Sequence, residues 1–239
     1  MTLEGQTVVV IGGSAGIGLE TARAARAAGA EVILTGRDPD RLARAAQDVG
    51  ASHSASFDVH APAALDAFFD DLEAPVDHVM VTAGGPHYAP LADLDFDEAR
   101  RAFADAPMVM LAVARHATTK VRPGGTLVFM SGTGARRPGI GLSVIGTLTA
   151  GIPALAANLA LEIAPVRVNV IAAGFVDTPL SATLLGEGLD ERRDQLRATL
   201  PIGRVVGPDD VAALAVHLMV NTALTGATYD IDGGQQLLS

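Results

Sequence analysis

Three glycines, Gly12, Gly16 and Gly18, stand in the run Val8-Val9-Val10-Ile11-Gly12-Gly13-Ser14-Ala15-Gly16-Ile17-Gly18, directly after an apolar stretch that reads as a strand. Glycine at this spacing permits a tight turn and lets the backbone approach a pyrophosphate closely, while free N–H groups at the start of the next helix face its negative charge. Ser14 adds a hydroxyl to the same loop. The chemistry predicted here is dinucleotide binding, and a glycine-rich turn without a ligand is the alternative.

The next apolar run ends in Leu34-Thr35-Gly36-Arg37-Asp38. An acid at this strand end grips a ribose 2′-hydroxyl, whereas an arginine accommodates a 2′-phosphate. Arg37 directly after the strand favours NADP(H) over NAD(H); its alternative is a solvated surface arginine. Asp58 and Val59 end the third strand and could meet an adenine through the carboxylate and the adjacent backbone, although Asp58 could instead cap the following helix. Val81-Thr82-Ala83-Gly84-Gly85 follows the central strand, where small residues such as Ala83 and Gly84 let a flat ring or ribose lie on the backbone; tight packing would ask for the same residues.

The elements that must position these residues alternate from the start. Strands are predicted over 7–11, 31–35, 54–57, 76–81, 126–130, 166–171 and 227–231, as apolar runs bounded by turn residues. Helical patterns fall over 16–28, 39–49, 61–72, 96–121, 147–163 and 209–219. Pro107 and Pro153 lie inside two of them, marking a kink or a helix that starts later. This alternation, with a nucleotide fingerprint on the first turn, predicts an α/β fold: one doubly wound parallel sheet of Rossmann type in a three-layer α/β/α sandwich, rather than a closed barrel.

The chain of 239 residues is long enough for one large core and carries no linker-like run, so a single domain over 1–239 is expected. A net charge of −10 leaves no basic stripe for phosphate neutralisation, which argues against a nucleic-acid partner. With no cysteine, disulfide and thiolate chemistry are excluded. The first apolar run is too short for a signal peptide or membrane span, so a cytoplasmic protein without a membrane partner is expected. The six histidines, His53, His60, His78, His87, His116 and His217, show no metal-binding spacing, and no metal site is expected.

The glycine run, together with Thr82-Ala83-Gly84, Val168-Asn169, Ala173-Gly174-Phe175-Val176-Asp177-Thr178, Gly203-Arg204 and Asp232-Gly233-Gly234, resembles the short-chain dehydrogenase/reductase (SDR) family over essentially the whole chain. The resemblance implies an NAD(P)(H) cofactor, hydride exchange between a carbonyl and an alcohol on a small-molecule substrate, and a homo-oligomer, dimer or tetramer. It further implies that Gly12, Ser14, Ile17 and Gly18 form the pyrophosphate and ribose loop, that Arg37 clamps the 2′-phosphate, that Asp58 and Val59 meet the adenine, and that Thr178 steadies the nicotinamide carboxamide. Apolar positions over 153–163 and 96–121 could serve subunit contact or the core equally.

The catalytic set of that family is a serine, a tyrosine and a lysine, supported by an asparagine. Their places fall on Gly132, Ile145 and Thr149, with Ala106 at the asparagine's, and Thr82 replaces a further asparagine. Carbonyl reduction needs an acid near neutral pH, ordinarily a phenol beside an ammonium. Ile145 and Thr149 supply neither, and the interval 131–162 holds no tyrosine or lysine at all, so an alignment slip cannot restore them. The catalytic residues therefore stay unassigned. Substitutes within reach of the sequence are His87 and Tyr88 in the loop after the central strand, with Ser131, Thr133, Ser143 and Thr147 able to orient a carbonyl. Arg136 and Arg137 could meet an anionic substrate, or stand in solvent or a subunit contact. The stretch from Asp177 to Leu200, with Leu180, Leu184, Leu185 and Leu189, suits a substrate lid. The leading expectation is an NADP(H)-binding oxidoreductase with weak or non-standard catalysis. The opposing one is a catalytically inactive nucleotide sensor or scaffold, and an apo structural subunit ranks last.

Overall fold

The computed structural model describes residues 2–238. Seven strands form one sheet: β1 (Thr7–Ile11), β2 (Glu31–Gly36), β3 (His53–Ser56), β4 (Val76–Val81), β5 (Val121–Gly132), β6 (Arg167–Ala173) and β7 (Thr228–Ile231). Their order is β3-β2-β1-β4-β5-β6-β7, and every pairing is parallel. The predicted doubly wound sheet is therefore present, and the order reverses direction between β1 and β4.

Helices cover both faces because successive residues of each strand point to opposite sides. Val9 and Ile11 of β1 join one core with α3 (Pro62–Asp70), α4 (Phe96–Lys120) and α5 (Ser143–Glu162). Val8 and Val10 join the other, with α1 (Gly16–Ala27), α2 (Pro39–Val49) and α8 (Pro208–Val220). Strands buried on both sides read as unbroken apolar runs, which is why their alternation was visible in the sequence. The helix α5 has the length and a mean hydropathy, 1.7, that would suit a membrane span, yet it lies against β6 with Ile152, Ala156 and Leu159 in the core.

Several bounds differ from expectation. β5 starts at Val121, five residues early, because Val121 pairs with Val76 before a register shift brings Thr126 opposite His78. The helix expected from 147 starts at Ser143, and the stretch expected as an excursion folds into α6 (Pro179–Leu185) and α7 (Leu189–Thr199). Neither interior proline delays its helix: α4 runs continuously through Pro107 and α5 through Pro153. Proline inside a helix costs roughly 3 kcal/mol. In α4 the carbonyl it orphans belongs to Phe103, on the exposed side, while Val109, Met110 and Val113 beyond it are buried.

Candidate functional site at the carboxyl edge of the sheet

Open α/β sheets bind ligands where the strand order reverses, outside the carboxyl ends of the strands. Here that crevice lies between the loops that follow β1 and β4, and the two touch. A Cβ on Gly12 would fall 2.7 Å from Thr82 Oγ1 and 2.8 Å from the Ala83 nitrogen, and Gly12 has φ +93°, so only glycine fits. Gly18, in the first turn of α1, has the Gly12 carbonyl and Thr82 Oγ1 where a Cβ would stand. The Thr82 hydroxyl donates to the Ile11 and Gly12 carbonyls, at 3.2 and 3.1 Å. Gly12, Gly18 and Thr82 thus make one close-packed junction, and Thr82 is held there by the backbone it touches.

The remaining loop residues surround this junction. Ser14 is buried against Gly36, whose Cβ position is 3.1 Å from Ser14 Oγ. Gly16 has φ +53° and faces Thr178, with 3.5 Å between its Cβ position and the Thr178 methyl. Thr178 also caps α6, accepting the Ser181 amide at 3.3 Å. Ile17 packs against the α1-side core. Thr178 is thereby brought from the far end of the sheet to the first glycine loop.

At the end of β2 the two charged neighbours part company. Asp38 caps α2 by accepting the Arg41 amide at 3.0 Å, and that backbone donor holds its carboxyl below the usual carboxylate range. Arg37 is exposed, and its side chain has no hydrogen-bond or ion-pair partner among the described residues. Asp58 accepts the His60 amide at 3.0 Å in a turn, while Ala61 occupies the cap position of α3 and Pro62 follows it. The helix-cap alternative for Asp58 is therefore overturned, because the turn closes before α3 begins. Val59 is buried, and on the loop after β4 Ala83 is half-buried and Gly84 exposed.

Gly132, Ile145 and Thr149, the residues expected from the sequence at the places of the family's catalytic set, lie close together. Gly132 has its Cβ position 3.6 Å from the Thr149 methyl; that of Gly134 is 3.5 Å from Thr149 Oγ1 and 3.8 Å from Ile145. The Thr149 hydroxyl is buried and donates to the Ile145 carbonyl at 2.8 Å, and Thr147 donates to Ser143 at the same distance. Both hydroxyls are spent on their own helix. Ser131 Oγ, by contrast, is buried without a partner.

His87 and Tyr88 stand across the cleft on the loop after β4. That loop meets the loop after β5 where the Ala89 amide donates to the Gly141 carbonyl at 3.2 Å. His87 Nε2 is buried and unpartnered. The Asp95 carboxyl at the start of α4 is held below its usual range chiefly by the Glu98 and Asp97 amides. The part of the Tyr88 ring that is buried pushes its phenol above the ordinary value, so it keeps its proton at neutral pH. No hydrogen bond joins either residue to Ile145 or Thr149 among the described residues.

Arg136 is not available to a substrate anion. Its guanidinium binds Asp230 through two hydrogen bonds, at 3.1 and 2.8 Å, tying the loop after β5 to β7. This engages Arg136 with the chain's own carboxylate and speaks against the substrate reading, while Arg136, like Arg137 beside it, stays exposed as the solvent reading expects. Sequence reasoning missed a corresponding clamp in the stretch after β6, where Arg193 of α7 binds Asp177 at 2.9 and 2.7 Å and Asp190 at 2.8 Å. The spacing of Asp190 and Arg193, one helical turn apart, was the available signal. Leu180 of α6 reaches across to Gly85, 4.0 Å from its Cβ position.

A family model described as enoyl-(acyl carrier protein) reductase matches residues 12–236. The chain belongs to the short-chain dehydrogenase/reductase family. This SDR chain is 35% identical over 260 residues to the galactitol 2-dehydrogenase (L-tagatose-forming) of Cereibacter sphaeroides, covering 97% of this chain and 95% of that one. It is 27% identical over 254 residues to the short-chain dehydrogenase/reductase malC of Malbranchea aurantiaca, covering 98% and 96%. The structure of MalC reductase/Diels-Alderase from that organism superimposes with a TM-score of 0.91 at 25% identity, over 98% of each chain. A small-chain dehydrogenase in complex with NADPH matches with a TM-score of 0.83 at 26% identity, over 97% and 99%. The SDR-type oxidoreductase assignment rests on these matches across the whole chain.

Proposed function

We propose that this SDR protein binds NADP(H) at the β1–β4 crevice and exchanges hydride with a small carbonyl or alcohol substrate without the family's serine, tyrosine and lysine. The NADPH bound to the solved small-chain dehydrogenase supports this choice of cofactor. The observation that carries it is the division of labour after β2, where Asp38 is committed to capping α2 and Arg37 is left as the unengaged charge. An acid bound to a helix amide is poorly placed to hold a ribose 2′-hydroxyl, whereas a free guanidinium suits a 2′-phosphate.

Gly12, Ser14, Gly16, Ile17 and Gly18 hold the pyrophosphate and nearby ribose in this reading, Asp58 and Val59 the adenine, Ala83 and Gly84 the second ribose, and Thr178 the carboxamide. The dinucleotide supplies the hydride. The chain contributes alignment, and because the Gly132, Ile145 and Thr149 cluster contributes no proton, the proton that completes the alcohol comes from His87, Tyr88 or solvent. Calorimetric titration with NADPH and NADH tests the assignment: NADPH binding at least tenfold tighter supports it, and equal affinities refute the role of Arg37.

A second reading, a nucleotide-responsive scaffold without turnover, is favoured by the Thr149 hydroxyl being turned onto its own helix. Absence of single-turnover NADPH oxidation with any carbonyl, despite tight binding, would select it. A homo-oligomer packed through α4 and α5 accompanies either reading, with Phe103, Met108, Leu111 and Leu161 exposed on those helices. A cytoplasmic setting goes with it, where the reduced dinucleotide pool lies.

A further inference from the structure

This inference rests on the reading above and concerns what enters the cleft. Six of the exposed large apolar side chains, Tyr88, Leu91, Ile140, Leu180, Leu184 and Leu185, lie on the connections that follow β4, β5 and β6 at the carboxyl edge. Ile140 is 95% exposed and Leu91 74%. These connections are not scattered: the Ala89 amide joins the first to the second, and Leu180 packs toward Gly85 to join the third to the first. Apolar surface gathered around a cleft marks a binding site, because leaving it in water is unfavourable.

The floor beneath this rim is apolar as well. Ile145 stands where the family keeps a phenol, and the methyl of Thr149, rather than its hydroxyl, faces Gly132. Three charges on the same connections are engaged elsewhere, Arg136 with Asp230, Asp177 with Arg193, and Asp95 with the first amides of α4, while Arg137 stays exposed on the loop after β5. We infer that the cleft takes a lipophilic carbonyl or alcohol, held by burial of its aliphatic or aromatic body against this rim and floor rather than by ion pairs or a polyol-type set of hydrogen bonds. Ser131 Oγ and His87 Nε2, buried and unpartnered, are the polar atoms left to orient a single hydrogen-bonding group.

The test is calorimetric binding of a series of methyl ketones, 2-hexanone to 2-dodecanone, to the full chain with and without NADP+, with galactitol as the polar control. Each added methylene should tighten binding about fourfold, the factor equivalent to about 0.8 kcal/mol, and galactitol should give no heat. The double variant Ile140→Ser, Leu184→Ser should weaken the longest ketone roughly tenfold with the sedimentation coefficient unchanged. An affinity independent of chain length, or preference for galactitol, overturns the inference. So does a double variant that dissolves an oligomer and keeps full ketone affinity, since the rim then belongs to a second copy of the chain. NADPH titrated in the same cell separates the two readings: ketones that bind as described to a chain that ignores NADPH leave this inference standing and sink the cofactor assignment.

Discussion

Thr149 lies one helical turn beyond Ile145 and donates its hydroxyl to the Ile145 carbonyl at 2.8 Å. The two residues that the sequence puts at the family's tyrosine and lysine places are thus tied to each other, and the Thr149 hydroxyl is spent on its own helix. Room for a serine side chain at Gly132 nevertheless exists, since a Cβ there would meet nothing closer than 3.6 Å. The triple variant Gly132→Ser, Ile145→Tyr, Thr149→Lys should raise the rate of NADPH oxidation with an aryl ketone by about 10²-fold or more, the scale of general acid catalysis. A rate unchanged from the parent, in a variant that still binds NADPH, would show that the cleft fails to align the substrate.

The committed Asp38 and the free Arg37 make a second expectation. Arg37→Ala should weaken NADPH binding by roughly 10- to 100-fold, as befits loss of a charge-assisted contact, while leaving NADH affinity alone. Asp38→Ala should do the opposite, lowering the melting temperature through loss of the α2 cap without changing cofactor preference. Fluorescence titration and thermal melting of the two variants separate these roles.

The junction of Gly12, Gly18 and Thr82 makes a third. Gly18→Ala puts a methyl onto the Gly12 carbonyl and 2.6 Å from Thr82 Oγ1, so the β1 and β4 loops must part. The variant should lose NADPH binding and melt at markedly lower temperature. Gly16→Ala should be milder in stability, about 1 kcal/mol, because its strain is the positive φ alone and its nearest neighbour is 3.5 Å away. Equal melting temperatures for the two variants would mean that the loops yield without cost.

How much of this was legible in the sequence depends on range. The central strands were found because burial on both faces makes them unbroken apolar runs, whereas the edge strands β3, His53-Ser54-Ala55-Ser56, and β7 lack that burial; the glycine loop was found because its spacing reports a local backbone path. Helices α6 and α7 were missed because their hydrophobic pattern is weak, with Leu196 the one buried residue between them, although Thr178-Pro179 is a recognisable helix start. The fate of Arg136 was not readable: Asp230 is 94 residues away, and nothing in the local sequence chooses between a substrate and that carboxylate. For Asp58 only the alternative of capping α3 fails, for a smaller reason, a turn that closes before that helix begins.

His78 carries the last prediction. It lies in β4 with its ring buried, Nε2 2.8 Å from Gln6 Oε1, and burial pulls its pKa from 6.5 down to about 4, helped by Arg167 and opposed by Asp77. Arg167 is itself buried and answers to backbone carbonyls at the end of α8, among them Leu218 at 2.8 Å and Met219 at 2.7 Å, so it stays a fixed positive charge near the ring. In the unfolded chain the imidazole titrates near 6.5. Between the two values only the unfolded chain takes up the proton, so this contribution is fully present above pH 6.5 and is lost as the pH falls toward 4. A displacement of that size corresponds to about 3 kcal/mol of stability removed on acidification. Urea unfolding of the parent and of His78→Gln from pH 7.5 to 4 checks it: the variant should be the less stable at pH 7.5 if its amide packs poorly, but its curve should lose the slope that His78 supplies. Parallel curves for the two proteins across that interval would show that His78 is protonated alike in the folded and unfolded chains.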